Sequence, residues 1–204
     1  MKGARLGFAL LVLAVTPVTA FAQNATTRLM TSPDVLGRGQ MEVRGDISIA
    51  DEIDVFGVYR RGMGGNLDFG VRAGYTGYAD GGFHVGGDLR YELPVSGTEL
   101  QLALAGGIQA SLMDLANVIA IPFGLSIGTE VGTGTRSVVV YALPFLEFDR
   151  IDPDGAGSDT EFEGGVELGG EVEISPGWIG NAVLSISSHN DDEVDLTLGV
   201  IWRR

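Results

Sequence analysis

The chain has 204 residues, enough for one domain and too few for two comfortable ones. It has no cysteine and two histidines, which excludes a disulfide framework, a thiolate nucleophile and a multi-histidine metal site. Its formal charge of −14 argues against a nucleic-acid partner, which would need a basic surface.

Lys2 and Arg5 precede an apolar run over residues 6–15, and Ala20-Phe21-Ala22 offers an A-x-A cleavage site before Gln23. This is the pattern of a secretory signal peptide, with an apolar run too short for a good membrane helix. Residues 1–22 are therefore read as an export signal and residues 23–39 as a polar leader. Cleavage would remove the chain's one lysine, because every other basic residue is arginine.

From residue 40 to 204 the chain alternates with period two between turn residues. The alternation predicts ten strands, over 41–50, 53–61, 66–78, 82–93, 99–111, 117–128, 136–149, 160–174, 177–188 and 194–202. Strand 1 sets Met41, Val43, Ile47 and Ile49 against Glu42, Arg44 and Asp46. Strand 3 carries Arg72 on its polar face. Strand 4 sets Phe83, Val85, Leu89 and Tyr91 against His84, Asp88, Arg90 and Glu92. Strand 8 has the sharpest division: Phe162, Val166, Leu168, Val172 and Ile174 oppose Glu161, Glu163, Glu167, Glu171 and Glu173. Strand 10 sets Val194, Leu196, Leu198, Val200 and Trp202 against Asp195 and Thr197. Strand 2 has two similar faces, so a count of eight strands stays open.

Two architectures fit such alternation. A soluble sandwich buries the apolar face, whereas a membrane barrel turns it to lipid and lines its interior with the polar one. Aromatic placement separates them, because rings gather where strands meet the headgroups. In a ten-strand up-and-down barrel with both termini on the periplasmic side, Tyr75, Phe83, Phe148 and Phe162 fall at the outer strand ends. Tyr91, Trp178 and Trp202 fall at the inner ends. All seven share the apolar face, which gives two girdles. The loop 150–159 is expected to be the longest and to lie outside. Pro122 and Pro144 sit inside proposed strands and are read as bulges or a shared kink, since proline removes a ladder donor.

The signal segment, the alternating strands, the girdles and the final Val194–Trp202 segment resemble the bacterial outer-membrane β-barrel superfamily of Gram-negative envelopes, in its small single-domain form. The resemblance covers essentially the whole mature chain and picks out no subfamily. The last strand is similar to the C-terminal assembly signal of these proteins, but Arg203 and Arg204 follow its closing aromatic. The resemblance implies an all-β, antiparallel transmembrane barrel located in the outer membrane. It also implies outer-membrane lipids, periplasmic chaperones and the barrel assembly machinery as partners.

Some small barrels of this superfamily are enzymes, including omptin proteases and lipid A deacylases and palmitoyltransferases. Here Ser187-Ser188-His189-Asn190-Asp191-Asp192 and His84 are the candidates for hydrolytic chemistry. No family motif surrounds them, so no catalytic residue is assigned. Asp152, Asp154 and Asp159, or Asp191, Asp192 and Glu193, offer carboxylates for Ca²⁺, but their spacing matches no loop signature. No metal or cofactor is expected. The lumen-facing charges are the informative set: Glu42, Arg44, Asp46, Arg72, Asp88, Arg90, Glu92, Glu161, Glu163, Glu167, Glu171, Glu173 and Asp195. Five inward glutamates on one strand would repel one another, so arginines must cross to plug the lumen, or water and cations must occupy it. The expected role is structural or passive small-solute permeation. The alternatives are a lipid- or peptide-modifying surface enzyme and a soluble periplasmic ligand-binding barrel.

Overall fold

The computed structural model describes residue 29 and residues 31–50, 52–77, 81–114, 116–132, 137–153, 157–188 and 194–204. The signal segment, with its cleavage site, and Asp154, His189, Asp191, Asp192 and Glu193 lie outside the described residues.

Ten antiparallel strands close into one barrel. They are β1 (Met41–Ile49), β2 (Ile53–Gly62), β3 (Leu67–Thr76), β4 (Gly82–Leu93), β5 (Leu100–Met113), β6 (Ala116–Gly132), β7 (Ser137–Pro153), β8 (Asp159–Ser175), β9 (Trp178–Ser187) and β10 (Val194–Arg203). Each strand pairs with its neighbours in sequence, and β10 returns to β1 from Glu42↔Arg203 to Ile49↔Leu196. Closure leaves no free sheet edge. The eight-strand alternative falls because β2 is a full strand, paired with β1 from Met41↔Arg61 to Ile49↔Ile53. Its faces read alike because it turns two apolar side chains, Phe56 and Val58, inward beside Arg60.

The alternation is inverted relative to a soluble sandwich. Val43, Val85, Leu168 and Leu198 stand exposed on the outside, while Asp68 and Glu167 are fully buried inside. We call the end that holds the start of β1 and the finish of β10 the terminal end, and the other the far end. Tyr75, Phe83, Phe148 and Phe162 ring the far end on the outer surface. Tyr75 and Phe83 meet edge to face at 5.8 Å. Tyr91, Trp178 and Trp202 ring the terminal end, where Trp178 and Trp202 are cross-strand partners.

Two expectations are corrected. The segment 150–159 is not a long loop: Arg150 pairs with Thr160 and Ile151 with Asp159, so the β7–β8 hairpin runs on to residues 153 and 159. Its Asp-Pro-Asp-Gly sequence carries turn signals, but the ladder continues because Ile151 is buried against Met113, Ala116 and Val118 inside the far end. Nor are the prolines bulges. The β6–β7 register is the same on both sides of them, from Ala116↔Pro153 through Gly124↔Phe145 to Ile127↔Ala142. Each proline falls instead at an interruption in one ladder. Pro122 lies opposite the gap between Gly106↔Phe123 and Gln109↔Ala120, and Pro144 opposite the gap between Gly124↔Phe145 and Ile127↔Ala142. A missing N–H removes rungs on one side and leaves the other side paired.

Candidate functional site

The lumen holds the charges. On alternate rungs of β2, β3 and β4, those that face the lumen, the register aligns Gly62, Asp68 and Arg90, then Arg60, Gly70 and Asp88, then Val58, Arg72 and Gly86. This lattice brings three arginines onto two aspartates. Asp68 accepts from Arg60 Nη1 at 2.8 Å, from Arg90 Nη2 at 2.6 Å and from Arg90 Nε at 3.0 Å. Asp88 accepts from Arg72 Nη2 at 3.1 Å and from Arg60 Nη2. Gly70 makes the last contact geometrically open: a Cβ there would lie 2.9 Å from both Arg60 Nη2 and Asp88 Oδ2. All five side chains are buried. Charge-assisted, multiply bonded pairs of this kind are the ones that survive burial.

Three arginines against two aspartates leave donors over, and the chain's own leader accepts from them. Leu29 and residues 31–36, read from sequence only as part of a polar leader, run inside the barrel. Arg72 Nη2 donates to the Leu29 carbonyl at 3.2 Å and Arg90 Nη1 to the Ser32 carbonyl at 2.9 Å. Ser126 Oγ donates to the Thr31 carbonyl at 2.9 Å, and the Leu36 N–H donates to Asp68 Oδ2 at 2.8 Å. Leu29 packs among Ala105, Leu143 and Phe145, an apolar patch inside the barrel. Two glycines make way for the leader. A Cβ on Gly62 would come within 2.0 Å of the Gly37 carbonyl oxygen, and one on Gly128 within 2.8 Å of Pro33 Cγ. Gly39, at φ 86°, turns the chain from the leader into β1.

At the terminal mouth, Arg203 follows the last aromatic and therefore points inward. It donates to Glu42 at 2.9 Å and to Asp34 of the leader at 2.5 Å, and it stands 3.8 Å from Glu171. The residue that departs from the assembly-signal pattern thus ties together β1, β10 and the leader. A vestibule of about 380 Å³ opens here, with Asp34, Glu171, Glu173 and Arg203 in its wall. Farther in, the free volume beside Leu29, Ser32, Arg60 and Arg72 falls to about 10 Å³, room for roughly one water molecule.

Of the lumen charges read from sequence, Glu42, Arg44, Asp46, Arg72, Asp88, Arg90, Glu167, Glu171 and Asp195 are buried in the interior. Glu92, Glu161 and Glu163 are half-buried, and Glu173 is exposed at the mouth. Arg44 Nε pairs with Asp46 along its own strand at 2.6 Å. Sequence reasoning passes over Arg60, Asp68, Arg203 and the leader. Asp68 shares the parity of Arg72, which was the available signal. Arg60 is masked by its neighbour Arg61.

The remaining candidates are scattered. His84 is buried in the lumen, with its ring 6.3 Å from that of Phe56. Ser187 is buried, and Ser188 Oγ accepts from the Gly164 N–H at 3.2 Å. Asp152 is exposed and faces Arg150 at 3.3 Å. Glu147, Asp149 and Glu163 bring carboxylate oxygens within 4.8 Å of one another in the far half of the lumen.

No protein-family model matches the chain, and no curated protein matches it. Solved structures do. The N-terminal β-barrel domain of Pseudomonas aeruginosa OprF is 10% identical, with 83% of this chain and all of that one covered and a TM-score of 0.40. The KdgM porin is 8% identical, covering 79% of this chain and 98% of that one, with a TM-score of 0.45. Neisserial surface protein A is 14% identical, covering 80% of this chain and 94% of that one, with a TM-score of 0.39.

Proposed function

We propose that the protein is an integral outer-membrane barrel with a structural role in the envelope, its lumen sealed at rest. The observation that carries this reading is the inversion of the wall. Apolar side chains cover the outside, and buried charges, several of them ion-paired, fill the inside with the leader. An exterior of this composition is stable against lipid, and an interior of paired charges needs no water column. The export signal supports the location, and the two aromatic girdles support a membrane thickness between them.

Passive permeation of small solutes is the second reading, and the charged vestibule at the terminal mouth favours it. Purified protein reconstituted in lipid tests both. Heat-modifiable gel migration with little conductance across a planar bilayer is expected. A heat-insensitive, water-soluble protein would overturn the membrane reading. Large, steady conductance steps from the unmodified chain would replace the sealed barrel with the pore.

A further inference from the structure

We propose that the lumen is a binding site for an extended peptide, filled in cis by Leu29 and residues 31–36, and that vacating it opens the barrel to small ions. This deepens the membrane-barrel reading and rests on it. Three features point to a ligand rather than to an eleventh structural element. First, the barrel closes without the leader: the ten ladders link strands to strands, and among the described residues Leu29 and 31–36 belong to none of them. Second, the contacts recognise main chain. Carbonyls of Leu29, Thr31 and Ser32 and the N–H of Leu36 are each met by a side chain of the wall. Third, the wall is shaped to the occupant at Gly62, where a Cβ would meet only the leader's backbone, the carbonyl oxygens of Gly37 at 2.0 Å and Leu36 at 2.5 Å.

Specificity comes from a few side chains. An apolar residue fits the patch of Ala105, Leu143 and Phe145, where Leu29 now sits. An acidic residue five positions later meets Arg203 at the mouth, as Asp34 does. A second apolar residue is buried at position 36. The ligand class is therefore an extended, carbonyl-presenting peptide with two apolar anchors and one carboxylate. When it leaves, Arg72 and Arg90 exchange carbonyl partners for water, and the small free volume beside them widens into a hydrated path.

The test uses the full chain with changes confined to the leader. Leu29→Asp and Leu36→Asp together place carboxylates in two buried positions and should expel the segment without touching the wall. The double variant is expected to remain heat-modifiable and to conduct ions where the unmodified protein does not. A synthetic peptide of residues 23–40 should close that conductance. The same peptide with both substitutions should bind about a hundredfold more weakly, since two buried leucines are lost. An inserted, heat-modifiable double variant that stays silent, or one whose conductance ignores the peptide, overturns the proposal. Failure of the double variant to form a heat-modifiable barrel also overturns it, because the leader would then belong to the fold. If the unmodified protein itself fails to insert, the membrane reading has failed instead.

Discussion

Asp68 is the residue on which the interior most depends. It is fully buried and accepts four hydrogen bonds, three from the guanidinium groups of Arg60 and Arg90 and one from the leader's backbone at Leu36. Asp68→Ala leaves Arg90 without a hydrogen-bonded carboxylate and Arg60 hydrogen-bonded to Asp88 alone. It also orphans the Leu36 N–H. Removing one partner of a buried pair costs about 3–5 kcal/mol, because the remaining charge stays desolvated. The bare Coulomb term overstates this, and the neighbouring Asp88 and Glu42 offset part of it, so the lower half of that range is expected. Arg150 and Asp152 supply the control: they pair at 3.3 Å but are 58% and 44% exposed. Asp152→Ala should cost at most about 1 kcal/mol. Urea titration in lipid vesicles, read by the folded and unfolded gel bands, measures both. Equal costs for the two variants would refute the claim that the lumen is held by buried ion pairs.

Gly62→Val should press the leader out of place, because even a Cβ there meets the Gly37 carbonyl at 2.0 Å. A Ser32→Cys reporter in this cysteine-free chain should then react with a water-soluble maleimide much faster than in the Gly62 background, and an unchanged rate would count against the leader's course. Tryptophan fluorescence from Trp178 and Trp202 should be quenched more by lipids brominated near the headgroup than by those brominated at the chain ends. The opposite order would remove the girdle at the terminal end. Amino-terminal analysis of the exported protein should begin at Gln23, and an intact Met1 would reject the signal peptide.

The barrel is legible in the sequence because its two faces differ so sharply. Strand 8 needs only the alternation of Glu167 and Leu168 to declare one wet or charged face and one apolar face. Strand count is harder at β2, where Phe56 and Val58 point into the lumen and blur the pattern. The leader is invisible to periodicity. Its hydrogen bonds to the wall run largely through main-chain carbonyls, which every sequence possesses, and its few side-chain anchors at 29, 34 and 36 follow no regular period. Its trace is indirect, in a glycine at 62 that is missing a side chain for a reason seen only in three dimensions. The Arg60–Asp68–Arg90 cluster is legible only with the register in hand. Arg60 and Asp68, 8 positions apart, meet diagonally, Asp68 and Arg90, 22 apart, face each other on one rung, and a shift of one residue would send Asp68 to the outside.

The inverted wall is tested most directly at Leu168, which lies near the middle of β8 and is 46% exposed on the outer face. If lipid covers that face, Leu168→Arg places a guanidinium near the bilayer midplane. It should destabilise the protein by about 2–4 kcal/mol in urea titrations from lipid vesicles. If water covers it, the same change is a surface substitution and should fall within about 0.5 kcal/mol of the unmodified chain. A loss in the first range supports a barrel built to face lipid, and a null result in the second would contradict it.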